Sequence, residues 1–346
     1  MKGIQEIEKN FKVETSIQKN DIEFYSIDNA PFEINGVFYE NGKYRRLPED
    51  VAKRVSEGVY RLHTNTAGGR VRFKTDSPYV AINVKMGSIG KMPHFAITGS
   101  AGFDLYADNS YFATFVPPFD MADGYESVVE LRDRKMREIT INFPLYSDVC
   151  SIYVGLANDA LVLPPAPYVK EKPVVYYGSS ITQGGCASRP GNAYEALVTQ
   201  WLNIDHINLG FSGNAKAESA ISEYICGLDM CAFVYDYDHN SPTAEYLEAT
   251  HERMFSEIRA SHPSLPIIMM SRPKCNLTEE EKKRLESIKS TYAHALEKGD
   301  KNVYFISGAE LMKLSGDAGT VDSCHPNDWG FYSMASAVRD VLKEIL

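Results

Sequence analysis

Two adjacent serines, Ser179 and Ser180, stand where a buried strand breaks into a loop, a placement that suits nucleophilic chemistry. The run Val174-Val-Tyr-Tyr-Gly-Ser-Ser-Ile-Thr-Gln-Gly184 opens with β-branched and aromatic residues and ends in small hydroxyl side chains. Open α/β sheets put their chemistry beyond the carboxyl ends of such strands. A serine hydroxyl is a poor nucleophile at neutral pH, so it needs a base, a group to orient the base, and donors for an oxyanion. Three further segments offer groups of those kinds. Asn208-Leu-Gly-Phe-Ser-Gly-Asn214 has glycines that let the backbone turn sharply and leave an amide pointing outward. Asp236-Tyr-Asp-His-Asn240 presents a side-chain amide, and Asp322-Ser-Cys-His325 sets a carboxylate and an imidazole on one face of a single turn.

The pattern around these segments is strand, helix, strand, helix. Candidate strands are 174–177, 206–209, 232–236, 266–270 and 303–306; candidate helices are 193–202, 243–260, 278–298 and 329–345. Each helix is long enough to cover a parallel sheet through right-handed crossovers, which predicts a three-layer, doubly wound, flavodoxin-like domain over 174–346. Upstream the hydrophobic period is two. Eight short runs between Val71 and Leu156, among them Phe95-Ala-Ile-Thr98, are separated by turn residues with no helical stretch between them. They predict an antiparallel β-sandwich of jelly-roll type over 21–160. Residues 1–20 read as an N-terminal extension with one helical turn, and Leu47-Pro-Glu-Asp-Val-Ala-Lys-Arg-Val as a short helix. The Pro-rich stretch 161–173 reads as an extended linker that cannot join a sheet interior.

The four segments resemble the blocks of an SGNH (GDSL-type) hydrolase, over about half the chain from Pro173 onward. Gly178-Ser-Ser-Ile-Thr is similar to the first block, normally Gly-Asp-Ser, and the resemblance makes Ser180 the nucleophile by position. It also implies that Gly213 donates its amide to the oxyanion, that Asn240 is the third-block asparagine, and that Asp322 and His325 complete a triad. The oxyanion donors are then Ser180, Gly213 and Asn240. The departure is Ser179, which stands where aspartate is usual and leaves two adjacent hydroxyls.

Blander roles compete for each residue. Gly210 and Gly213 suit plain turns. Asn240 suits a helix N-cap, since Ser-Pro-Thr-Ala-Glu follows. Of eight histidines, His239 is the rival base, but it lacks the carboxylate three residues upstream that His325 has. Trp329 is either a core anchor or a platform for a sugar ring. Ser179, Tyr237 and Trp329 are the candidate substrate-binding residues. Cys324 has no second ligand cluster beside it, so no metal is expected, and without a Gly-x-Gly-x-x-Gly or Gly-Lys-Ser/Thr no nucleotide or other cofactor is expected.

The net charge of −10 over 346 residues, with no Lys/Arg cluster, argues against nucleic acid and membrane surfaces as partners. No stretch has the length and apolarity of a membrane span, the N-terminus lacks a signal-peptide core, and six scattered cysteines suit free thiols. A cytoplasmic protein is expected, and a homo-oligomer is left open. A sandwich joined to such a hydrolase half resembles bacterial carbohydrate esterases. That resemblance implies an esterase removing acetyl groups from O-acetylated sugars or oligosaccharides. A general short-chain esterase or thioesterase is the alternative, and a non-catalytic carbohydrate-binding protein is the other.

Overall fold

The computed structural model describes residues 13–346, so the first twelve residues of the expected N-terminal extension lie outside the described residues. Residues 13–19 form neither helix nor strand. The chain divides into two compact units that do not follow the sequence in two simple blocks.

Of the described residues, the first unit comprises those up to Arg45, Thr64–Pro167 and Ser188–Gly191. Its strands are β1 (Ile22–Ser26), β2 (Glu33–Asn35), β3 (Phe38–Glu40), β4 (Lys43–Arg45), β5 (Arg70–Thr75), β6 (Tyr79–Met86), β7 (Phe103–Ala107), β8 (Ser110–Phe115), β9 (Gly124–Glu130), β10 (Arg137–Asn142), β11 (Val149–Ala157) and β12 (Val162–Leu163). One sheet has the order β1-β11-β6-β9; the other runs β12-β5-β10-β7-β8, with β2 also on β5. All of their pairings are antiparallel. From β5 to β7 and from β8 to β12 the chain changes sheet at each crossing, in the manner of a jelly roll. Alternate residues such as Val71 and Phe73 of β5 and Val80, Ile82 and Val84 of β6 share one buried cluster. Burying a side chain of that size contributes roughly 1.5–3 kcal/mol.

One expected strand is corrected. Phe95-Ala-Ile-Thr98 does not pair into a sheet; Ile97–Ser100 is a short helix instead. The run is only four residues long, and the small residues that follow it let Gly102 pack under Thr98, where a Cβ would lie 2.4 Å from the Thr98 carbonyl oxygen. The Pro-rich stretch does pair in part, because Val162–Leu163 joins β5, but only as a sheet edge. Ser188–Gly191 groups with this unit because buried Asp104 accepts from the Arg189 guanidinium and the Gly191 amide, each at 2.9 Å.

The second unit comprises Arg46–His63, Tyr168–Ala187 and Asn192–Leu346. Its strands are β13 (Val174–Gly178), β14 (His206–Gly210), β15 (Ala232–Asp236), β16 (Ile267–Met270) and β17 (Val303–Ile306). They form one parallel sheet in the order β14-β13-β15-β16-β17. That order reverses between β13 and β15, the point where doubly wound sheets open a crevice. The strands are mostly apolar on both faces because helices cover both, His206, Asn208 and Asp236 being buried polar exceptions. Val175, Tyr177, Phe233 and Tyr235 join the side that includes Leu247, Met254 and Ile258 of helix Ala244–Ser261. Tyr176 faces the other way, its ring 5.5 Å from that of Tyr194 in helix Tyr194–Leu202. Helices Glu279–Glu297 and Asp328–Ile345 complete the layers, and Ser219–Cys226 and Gly308–Leu311 are helices that hydrophobic periodicity did not reveal. The segment Arg46–His63 falls within the stretch expected to be sandwich. Leu47 and the helices Glu49–Val55 and Glu57–Leu62, through Val51, Ala52, Val55 and Val59, instead join the same cluster as Val175, Leu209 and Phe211.

Candidate active site

The Ser179-Ser180 turn is set by the end of β13. Only glycine fits at Gly178, because a Cβ there would lie 2.4 Å from the Asp236 carbonyl oxygen and 2.3 Å from Thr182 Oγ1. The Ser179 amide donates to that Asp236 carbonyl at 3.0 Å, and the turn closes as the amides of Gln183 and Gly185 donate to the carbonyls of Ser179 and Ser180. Here the two hydroxyls part ways. Ser179 is wholly buried, and its Oγ accepts from the Ile181 amide at 3.1 Å. Ser180 retains 7% exposure, and its Oγ lies 2.9 Å from His325 Nε2.

His325 is held by the turn before the last helix. Asp322 Oδ2 meets His325 Nδ1 at 2.8 Å, while Asp322 Oδ1 accepts from the His325 amide at 2.7 Å and the Cys324 amide at 3.1 Å. Asn327 then caps the helix, its Oδ1 accepting from the amides of Trp329 and Gly330. Burial pushes the Asp322 carboxyl up, but the hydrogen bonds and charge of His325 and the Cys324 amide outweigh it and lower the group to about 2. Asp322 is therefore an anion at neutral pH and fixes a proton on Nδ1, which leaves Nε2 as an acceptor toward Ser180.

Gly213 adopts φ +70 in the turn Phe211–Asn214, a conformation that disfavours any side chain, and the space beside its α-carbon is open. Asn240 ends a short 3-10 turn, Asp238–Asn240, and its Oδ1 accepts from the Ala215 amide at 3.1 Å. With that oxygen engaged, the Nδ2 hydrogens are what Asn240 has to offer a ligand. It is not the cap of the next helix, whose N-cap is Thr243, accepting from the Tyr246 amide. The Gln183 side chain accepts from the Ser212 amide at 2.9 Å, so the Ser180 turn and the Gly213 loop are tied together.

His239 is placed differently from His325. Its neighbour Asp238 is committed to Arg272, with contacts of 2.8 and 3.1 Å, and the His239 Nδ1 faces Cys324 Sγ at 3.7 Å. Burial and the Arg272 charge lower His239 to about 4, so it stays neutral and has no carboxylate on its ring among the described residues. The three candidate substrate-binding residues also separate. Ser179 and Tyr237 are buried, the latter with its hydroxyl on Thr250 Oγ1 at 2.9 Å, so neither presents a surface to substrate. Trp329 is 53% exposed on the first turn of the last helix.

Beneath the loops lies a buried polar layer that the sequence reading did not single out. Asn208 Nδ2 donates to the Thr182 carbonyl at 2.6 Å and to Glu195 Oε1, and its Oδ1 accepts from the Gly210 amide at 2.9 Å. Burial raises Glu195 to about 8, and burial with the nearby Asp238 charge raises Asp236 to about 8. Neither Asp236 carboxyl oxygen has a hydrogen-bond partner among the described residues. A polar residue inside an otherwise apolar strand, such as Asn208, was the available signal.

Comparison with known proteins adds family and fold. Residues 171–343 match the model of the GDSL-like Lipase/Acylhydrolase family, and residues 22–162 match a model described as the N-terminus of Esterase_SGNH_hydro-type. A search of curated proteins found no match. Among solved structures, a protein described as a GDSL-like lipase from Bacteroides ovatus is 28% identical with a TM-score of 0.83, covering 94% of this chain and 98% of that one. The salicylyl-acyltransferase SsfX3 of a tetracycline biosynthetic pathway is 19% identical with a TM-score of 0.77, over 94% and 98% of the two chains. The acetyl xylan esterase Est2A of the rumen bacterium Butyrivibrio proteoclasticus is 12% identical with a TM-score of 0.60, over 93% and 98%. The last two likenesses show the fold alone. With the family model spanning the parallel-sheet half and the second model spanning the sandwich, this chain belongs to the GDSL-like lipase/acylhydrolase family of esterases.

Proposed function

We propose that the protein is a serine esterase that removes short acyl groups, acetyl foremost, from O-acylated carbohydrates through an acyl-enzyme. The observation that carries the reading is the continuous chain from Ser180 Oγ through His325 to Asp322, at 2.9 and 2.8 Å. In this reading Ser180 Oγ attacks the ester carbonyl carbon and its proton passes to His325 Nε2. The oxyanion so formed is met by the Ser180 and Gly213 amides and by Asn240 Nδ2. Its collapse breaks the bond to the alcohol oxygen, which takes the proton from Nε2. Water then attacks the acyl-Ser180 carbonyl, gives its proton to Nε2, and the proton returns to Ser180 as the acid leaves.

The sugar half of the reading is supported by likeness of fold to carbohydrate esterases and by the exposed ring of Trp329, which suits stacking on a pyranose. All six cysteines are free, which suits a reducing compartment and hence action on sugars already inside the cell. Rates on acetylated xylo- and manno-oligosaccharides, set against acetyl, butyryl and longer nitrophenyl esters, test the substrate. The reading predicts preference for acetyl and for the sugar. Faster turnover of longer acyl chains identifies a general esterase instead.

A further inference from the structure

We propose that Arg46 is a positioning residue for this reaction: its guanidinium fixes the turn that aims the Gly213 amide. The proposal rests on the oxyanion role just given to Gly213. Arg46 lies far upstream in sequence, yet it is a buried part of the parallel-sheet unit, 2% exposed. Its Nη1 donates to the Gly210 carbonyl at 2.6 Å, to the Asn208 carbonyl at 3.2 Å and to Asn208 Oδ1 at 3.3 Å. Its Nη2 donates to the Leu62 carbonyl at 3.0 Å. The guanidinium carbon lies 4.8 Å from the centre of the Phe211 ring. Asn208 and Gly210 lie in the last half of β14, directly ahead of the turn that contains Gly213.

The same upstream segment touches the far side of that turn. Gly58 lies in helix Glu57–Leu62, and a Cβ there would sit 1.8 Å from Asn214 Oδ1, while Asn214 Nδ2 holds the Ser212 carbonyl at 2.6 Å. Residues 208–214 are thus braced before the turn by Arg46 and after it by Gly58, while Asn208 and Gln183 tie them to the Ser180 turn. A buried guanidinium stays charged and must keep its acceptors, so its planar fork dictates where those carbonyls lie. Without it the Gly210 carbonyl loses a donor and the Gly213 amide loses its fixed direction. An amide that acts on the oxyanion alone lowers the barrier without binding the ground state, so the loss falls on kcat.

The test compares the full-length wild type with Arg46→Gln, Arg46→Lys, Gly58→Ala and Ser180→Ala on 4-nitrophenyl acetate. Turnover is counted per active site titrated to completion with a fluorophosphonate, and melting temperatures are measured alongside. Arg46→Gln is expected to lower kcat roughly 10- to 100-fold per titrated site with KM within about threefold. Arg46→Lys, which keeps a charged donor but not the fork, loses less, and Gly58→Ala loses about threefold or more. A merely structural role lowers the melting temperature and the titratable fraction and leaves kcat per site unchanged, and that result overturns the proposal. If Arg46→Gln does not fold, Arg46→Lys and Gly58→Ala decide it on the same criterion. Turnover that survives in Ser180→Ala overturns the esterase reading itself. An inactive Ser180→Ala beside Arg46 and Gly58 variants of full kcat overturns only the role of Arg46.

Discussion

Asp322, in the turn ahead of the last helix, and Asp236, at the end of β15, carry the same carboxyl group in opposite charge states. Asp322 is lowered to about 2, because the hydrogen bonds and charge of His325 and the Cys324 amide outweigh its partial burial. Asp236 is raised to about 8, because it is fully buried near Asp238, and no donor among the described residues reaches either oxygen. Glu195, also raised to about 8 by burial, shares the deeper layer. The site is thus built in two storeys, an upper one whose acid is charged by its donors and a lower one whose acids are kept neutral by burial. The upper carboxylate can hold an imidazole in one tautomer, whereas the lower acids are part of the packing that supports the loops.

Mutations sharpen the contrast. Asp322→Asn is expected to lower kcat roughly 10⁴-fold by allowing the wrong imidazole tautomer, whereas Asp236→Asn is expected to keep turnover within about tenfold. Steady-state kinetics on a nitrophenyl ester checks both, and equal losses would erase the distinction between the storeys. Asn240→Ala is expected to cost about 10²-fold in kcat with little change in KM, measured in the same assay.

Stability should respond to pH with opposite signs in the two storeys. For Asp236 and Glu195 the folded pKa is raised, so the stability they allow is fully present below the unfolded carboxylate pKa and is lost as pH rises toward about 8. The loss is up to about 1.4 kcal/mol per pH unit for each. For Asp322 the folded pKa is depressed, so its contribution is present above the unfolded value and is lost as pH falls toward about 2. Denaturant titrations between pH 4 and 8 should show stability falling in the wild type and a flatter profile in a Glu195→Gln, Asp236→Asn double variant. The smallest effect belongs to Ser179→Ala, which removes one turn hydrogen bond and is expected to cost about 1 kcal/mol of stability while turnover persists.

Much of the upper storey was legible in the sequence. β-branched and aromatic runs marked all five parallel strands, and Asp322 and His325 announced themselves by type and spacing. Ser179 and Ser180 could not be separated on chemistry, since the choice depends on which hydroxyl the turn buries. Tyr237 looked available because it follows a strand end, but alternation continues one residue past β15 and carries its ring into the core with Tyr235. The lower storey was hidden because a buried Asp or Glu looks like a surface one until its neighbours are known. The same limit hid the allegiance of 46–63: an amphipathic helix shows that it has an apolar face, not which core that face enters.

In the proposed reaction Ser180, activated by His325, is the attacking group. Mass spectrometry of the protein after reaction with a fluorophosphonate tests it most directly, comparing wild type, Ser180→Ala, Ser179→Ala and His325→Ala. One adduct is expected on Ser180 in the wild type and in Ser179→Ala, none in Ser180→Ala, and very slow labelling in His325→Ala. An adduct on Ser179, or full esterase activity in Ser180→Ala, would contradict it.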